Sequence, residues 1–207
     1  MRVSGWFSFG SFLMISVLTQ AQAPARQLAP ELVPYTACKL PSGPEVVDVT
    51  MLPAVPMTRT VDTLRGPRNV VMQDGVRVMF AYPNTDFYAN LKIEQLRGES
   101  YEAEKANLIS AEDKLLAADD TNSRNYSLKP TMQGFEIYGI DRKKLEGGVL
   151  GAYLLLDNPT HVVTTIYFLN QEPGRRKFND LAEYARLRDS FLENYTSCVR
   201  NAIKPSK

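Results

Sequence analysis

An α+β fold, an antiparallel β-sheet covered by two helices, is predicted by three observations. Three strand-like runs, Gln133 to Ile140, Val149 to Leu156 and His161 to Leu169, follow one another with short connections, as in an antiparallel meander. The last two runs are apolar at alternating positions of both parities, so the sheet needs cover on both sides. Two stretches with apolar residues at helical spacing, one before the meander and one after it, can supply that cover.

Taken in chain order, the first 25 residues carry Arg2, then an apolar run from Trp6 to Leu18, then small and polar residues. This is the order of a secretory signal. The run is about a dozen residues long, against roughly 20 for a membrane span, so the expectation is cleavage near Ala21, Ala23 or Ala25 and a mature form that does not span a membrane. Residues 26–45 hold Pro30, Pro34, Pro41 and Pro44 and little periodicity, which predicts an extended leader lying along the surface. A single α+β domain is expected over 46–203. It opens with strand runs Val46 to Leu52, Arg59 to Thr63, Asn69 to Met72 and Val76 to Tyr82. Gln73-Asp74-Gly75 contains the Asp-Gly pair of a tight hairpin and predicts antiparallel pairing of the last two. Tyr88 to Leu96 is a further strand.

Ser100 is the expected cap of the first helix, with Glu102 and Glu104 in its first turn and Tyr101, Leu108, Ile109, Leu115 and Leu116 forming its apolar stripe. The second helix is expected to be capped by Asn179. Leu181, Tyr184, Leu187 or Arg188, Phe191, Leu192, Tyr195, Cys198, Val199 and Ala202 trace its stripe, and Pro205 follows its end.

The chain has 207 residues, 44% of them hydrophobic, so it can bury one core. Its 24 basic and 23 acidic residues disfavour a nucleic-acid binder, which needs a surplus of cations. One histidine and two cysteines exclude a multi-histidine zinc site or a zinc finger, and no cofactor motif is present. In an oxidising compartment Cys38 and Cys198 are expected to pair, tying the leader to the last helix. A thiol nucleophile at Cys198 would need a base, and His161 is the only imidazole.

Thr165-Ile166-Tyr167-Phe168-Leu169-Asn170, followed by Phe178 and the pattern Tyr184, Leu187, Phe191, Leu192, together with the order of elements over 46–203, resembles the Mog1/PsbP-like α/β/α sandwich. The resemblance implies an accessory or binding protein.

Other candidates carry less. His161 starts a strand with no serine or acid placed beside it by sequence, and Glu146 to Gly151 is glycine-rich without a phosphate-loop lysine. Asp119 and Asp120 are adjacent in a polar loop where neither is forced out of water. Asn125-Tyr126-Ser127 and Asn194-Tyr195-Thr196 fit the glycosylation sequon. Two basic runs, Arg142, Lys143, Lys144 and Arg175, Arg176, Lys177, fall in connections at one end of the meander and form a candidate patch for an acidic partner or anionic head groups. The function expected is therefore an exported, non-enzymatic binding or accessory protein, periplasmic or extracellular, acting on another envelope or extracellular protein. The alternative is a small secreted hydrolase using carboxylate or Ser/His161 chemistry.

Overall fold

Alternation and face switching explain how the sheet is assembled. A computed structural model describes residues 27–41, 43–52, 58–63, 66–83, 87–117, 123–125, 131–142, 148–170 and 180–203. The segment expected to be a secretory signal, Asp119, Asp120, Lys143, Lys144, Arg175, Arg176, Lys177 and Asn179 lie outside them. A 3-10 turn at Pro30–Leu32 leads into α1 (Val33–Thr36). The strands are β1 (Glu45–Met51), β2 (Thr58–Thr63), β3 (Gly66–Ala81) and β4 (Phe87–Leu96), then β5 (Ser123–Asn125), β6 (Thr131–Met132), β7 (Phe135–Arg142), β8 (Val149–Asp157) and β9 (Val162–Asn170). Helices α2 (Gly98–Ala117) and α3 (Leu181–Ile203) complete the chain. The strand order is β1-β3-β4-β9-β8-β7-β5, all pairs antiparallel, with β2 added to β3 and β6 to β7. The antiparallel α+β architecture and the meander are as the sequence predicts.

The expected hairpin at Gln73-Asp74-Gly75 does not form. β3 runs straight through it, and the register slips by one residue between Met72 and Asp74. A bulge of this kind inverts the parity of a strand. Val70 and Met72 therefore pack on one face, with Leu96, Val163 and Tyr101, while Val76, Val78 and Phe80 pack on the other, with Phe168, Phe191 and Tyr195. Asp74 is buried, its Oδ2 accepting the Ala29 amide at 2.8 Å and its Oδ1 the Gly75 amide at 2.8 Å. The turn chemistry of Asp-Gly thus serves a face switch in one long strand.

The two-residue hairpin turn lies instead at Gln133-Gly134, between β6 and β7. Both residues have positive φ, 52° and 82°, the geometry that the twist of a tight hairpin favours. The strand that the sequence predicts from Gln133 begins instead at Phe135.

Helix starts differ as well. α2 begins at Gly98, and the Ser100 hydroxyl accepts the Val71 amide of β3 at 2.9 Å, so it anchors the helix to the sheet. Asp180 caps α3, its Oδ1 accepting the Ala182 amide at 2.8 Å.

The leader is not extended along the surface. Helical turns over 30–36 drive Leu32 and Tyr35 fully into the core, and Cys38 and Leu40 follow. Cys38 and Cys198 form a disulfide with Cα atoms 5.8 Å apart, closing a sequence separation of 160. Asp141, expected at the start of a solvated connection, is the fully buried penultimate residue of β7.

Gly139 is fixed by packing, because a Cβ there would sit 3.0 Å from Cζ of Tyr153 and closer still to the ring edge. Gly139→Ala is expected to cost about 1 to 3 kcal/mol through overpacking, read as a lower urea midpoint with an unchanged slope.

Candidate interaction face

Register places the inward side chains of β3, β4, β9, β8 and β7 in cross-strand rows, and the two faces of these rows differ sharply. On the α3 side Val78, Phe80, Phe87, Ala89, Leu91, Ile166 and Phe168 are all 0% exposed. Aromatic contacts knit this side together, with Phe80 to Phe191 at 5.4 Å and Phe168 to Phe191 at 5.6 Å between ring centroids.

The opposite face is covered over only part of its length. Near the β8–β9 turn it carries Leu96, Leu154, Leu156 and Val163, packed with Tyr101, Leu108 and Ile109 of α2. Further along the same strands the cover stops. One row there reads Met79, Asn90, Tyr167, Ala152, Ile140, and the next Ala81, Tyr88, Leu169, Val149. Tyr167 is 43% and Val149 42% exposed, and the others are half-buried. Arg77, exposed, and Lys92 begin the row that separates this open region from α2, and exposed Arg142 lies at its far corner. Lys92 Nζ pairs with Glu94 at 2.9 Å. Sequence reading saw that both faces are apolar but had no means of finding where a helix ends its cover.

The edge strand β1 contributes Glu45 and Asp48 to this face, paired with Ala81 and Met79, whereas Val46 and Val49 pair with Phe80 and Val78 on the α3 side. Val46, Val47 and Val49 are 40%, 54% and 50% exposed, and a bulge between Val46 and Asp48 interrupts the edge. Such bulges blunt strand edges against indiscriminate pairing.

Charged groups elsewhere are drawn into buried clusters, one of them Arg59 with Glu94 and Glu104. Arg188 Nη1 pairs with Asp141 Oδ2 where both are almost wholly buried, and the Tyr153 and Tyr184 hydroxyls each donate to Asp141 Oδ1 at 2.7 Å. At the other end of β8, Asp157 accepts two hydrogen bonds from Arg200, at 3.1 and 3.2 Å, and one from Tyr35 at 2.5 Å. Beside it, Lys105 and Asn158 both donate to Glu136 Oε1, at 2.8 and 2.6 Å. The Lys105 and Asn158 bonds hold the Glu136 carboxyl below its ordinary range.

Burial pushes the phenols of Tyr35, Tyr153, Tyr184 and Tyr195 well above their ordinary value, and neighbouring carboxylates add to this for the first three. A raised folded-state value contributes stability that is fully present below the unfolded value near 10 and is lost progressively as pH rises from there toward the folded-state value. The protein is therefore expected to unfold in alkali before these phenols ionise. An absorbance titration should then show these four phenols ionising in one cooperative step coincident with loss of the circular dichroism signal.

His161, a candidate base in the sequence, sits in the β8–β9 turn with φ of 56°, a conformation that histidine tolerates better than most residues. Its ring lies 5.2 Å from that of Tyr101, and its carbonyl accepts the Leu96 amide at 3.1 Å. Of the two basic runs, Arg142 is described at the end of β7. The anchors of both loops adjoin, because the Asn170 amide donates to the Gly148 carbonyl at 2.8 Å. Asn194 of the second sequon lies on α3 and donates to Ser190 Oγ at 3.2 Å. No helix among the described residues is long and apolar enough to cross a membrane. The disulfide fits an oxidising compartment. No family model, characterised protein or solved structure matches the chain.

Proposed function

We propose that this chain is an exported, non-enzymatic binding or accessory protein that contacts an envelope or extracellular protein through the open half of its second sheet face. One observation carries the reading: strands whose α3 side is 0% exposed leave Tyr167 and Val149 more than 40% exposed on the other. Contiguous apolar and aromatic surface with a cationic margin is the composition of an interaction site. The order of residues in the first 25 positions and the Cys38–Cys198 bridge support export. The architecture is read as a Mog1/PsbP-like sandwich with α2 and α3 as its covering layers. This reading is supported by one core cluster that takes in Tyr101 of α2 and another that takes in Phe191 of α3.

The test is a photo-reactive amino acid placed at Tyr167 in the source cell, with the same label at exposed Glu193 of α3 as reference. A discrete adduct from position 167 alone supports the reading, and equal or absent labelling at the two positions overturns it. Fractionation with intact mass should find the chain outside the cytoplasm, starting between residues 22 and 26.

A further inference from the structure

Two features of the α2 layer fit each other. The open region is two same-face positions deep along each strand, which at about 7 Å per pair of residues is about the width of one helix. It holds large side chains, Met79, Tyr88, Tyr167, Leu169 and Ile140, and its cations are Arg77, Lys92 and Arg142. Arg77 is exposed and forms no ion pair among the described residues. The outward side of α2 presents the reverse. Its exposed residues include Glu99, Glu102 and Asp113 around the small Ala106, with Lys114 as the one exposed cation among the described residues of the helix. A small residue lets a helix approach closely, and Glu99, Glu102 and Asp113 form no ion pair among the described residues, while Glu104 and Lys105 are bonded to Arg59 and Glu136.

We propose that the occupant of the open face is a second copy of this chain, with α2 of each copy lying in the open half-face of the other. A two-fold arrangement satisfies both faces at once, because the surface patch and the element that fills it belong to the same protomer. Each α2 is then held between two sheets, Ala106 meets the tyrosines, and Glu99 and Glu102 meet the Arg77 side of the partner. A bilayer surface is disfavoured by the same features, since α2 stands proud of the open face and its outer side is acidic.

This inference rests on the binding reading above and names its partner. Sedimentation velocity of the mature, oxidised protein should show a dimer. Arg77→Glu and Glu102→Arg should each weaken it by about tenfold or more, and the two together should restore it, because each reversal creates a like-charge contact that the other relieves. Circular dichroism monitors the fold of each variant, and both sites are exposed. A monomer at every accessible concentration overturns the proposal, as does a dimer indifferent to both reversals. If the protein is monomeric while the label at position 167 captures a different protein, the second-copy proposal falls and the binding reading stands. If the protein is monomeric and nothing is captured, both fall.

Discussion

Arg188→Met is expected to lower the unfolding free energy by about 3 to 5 kcal/mol, the usual cost of leaving one partner of a buried ion pair behind. Asp141 is 0% exposed and Arg188 1%, so water cannot replace the lost guanidinium. The Tyr153 and Tyr184 hydroxyls would remain as donors to one carboxylate oxygen, with the other left without its charged partner. Asp141→Asn combined with Arg188→Met removes both charges, and the double variant is expected to regain most of the loss. Urea unfolding of the four proteins gives the comparison. Additive costs in the double variant would show that the pair acts as two separate packing groups.

The second large effect is expected from the disulfide. Replacing both Cys38 and Cys198 by serine should cost about 2 to 5 kcal/mol, the range for removing a native bridge that closes a long loop. The bridge spans 160 positions, so it restricts nearly the whole unfolded chain. The leader should nevertheless stay docked. Tyr35 still donates to Asp157, Tyr195 donates to the Tyr35 carbonyl at 2.9 Å, and the Ala29 amide donates to Asp74. The expected result is a lower denaturation midpoint with native near-ultraviolet circular dichroism retained. Loss of the native spectrum in the double variant under mild conditions would show that the leader depends on the bridge to fold.

The meander, the long last helix and the cysteine pairing were legible in the sequence because each leaves a local mark: alternation, a helical stripe, or a lone pair of thiols. Asp74-Gly75 misled because the same dipeptide suits a hairpin and a bulge, and only the partner register, Met72 with Leu96 and then Asp74 with Gln95, decides between them. The leader misled for a related reason. Its prolines suggest an extended path, yet Pro34 occupies the first turn of α1, where proline is well tolerated, and Tyr35 finds its acceptor 122 positions away. Asp141 and Arg188 are ordinary charged residues until the fold brings β7 and α3 together. The open face was invisible for the same cause: Tyr167 and Phe168 look alike in sequence, and only the reach of α2 leaves one uncovered.

The central claim is that the rows containing Tyr88 and Tyr167 are a working contact surface. Chemical nitration of surface tyrosines tests this most directly, comparing the protein in its native compartment with dilute purified protein, and reading each site by peptide mass. Protection of Tyr88 and Tyr167 in the native compartment, lost on dilution, is the predicted result. Equal modification of both tyrosines in the two settings would contradict it.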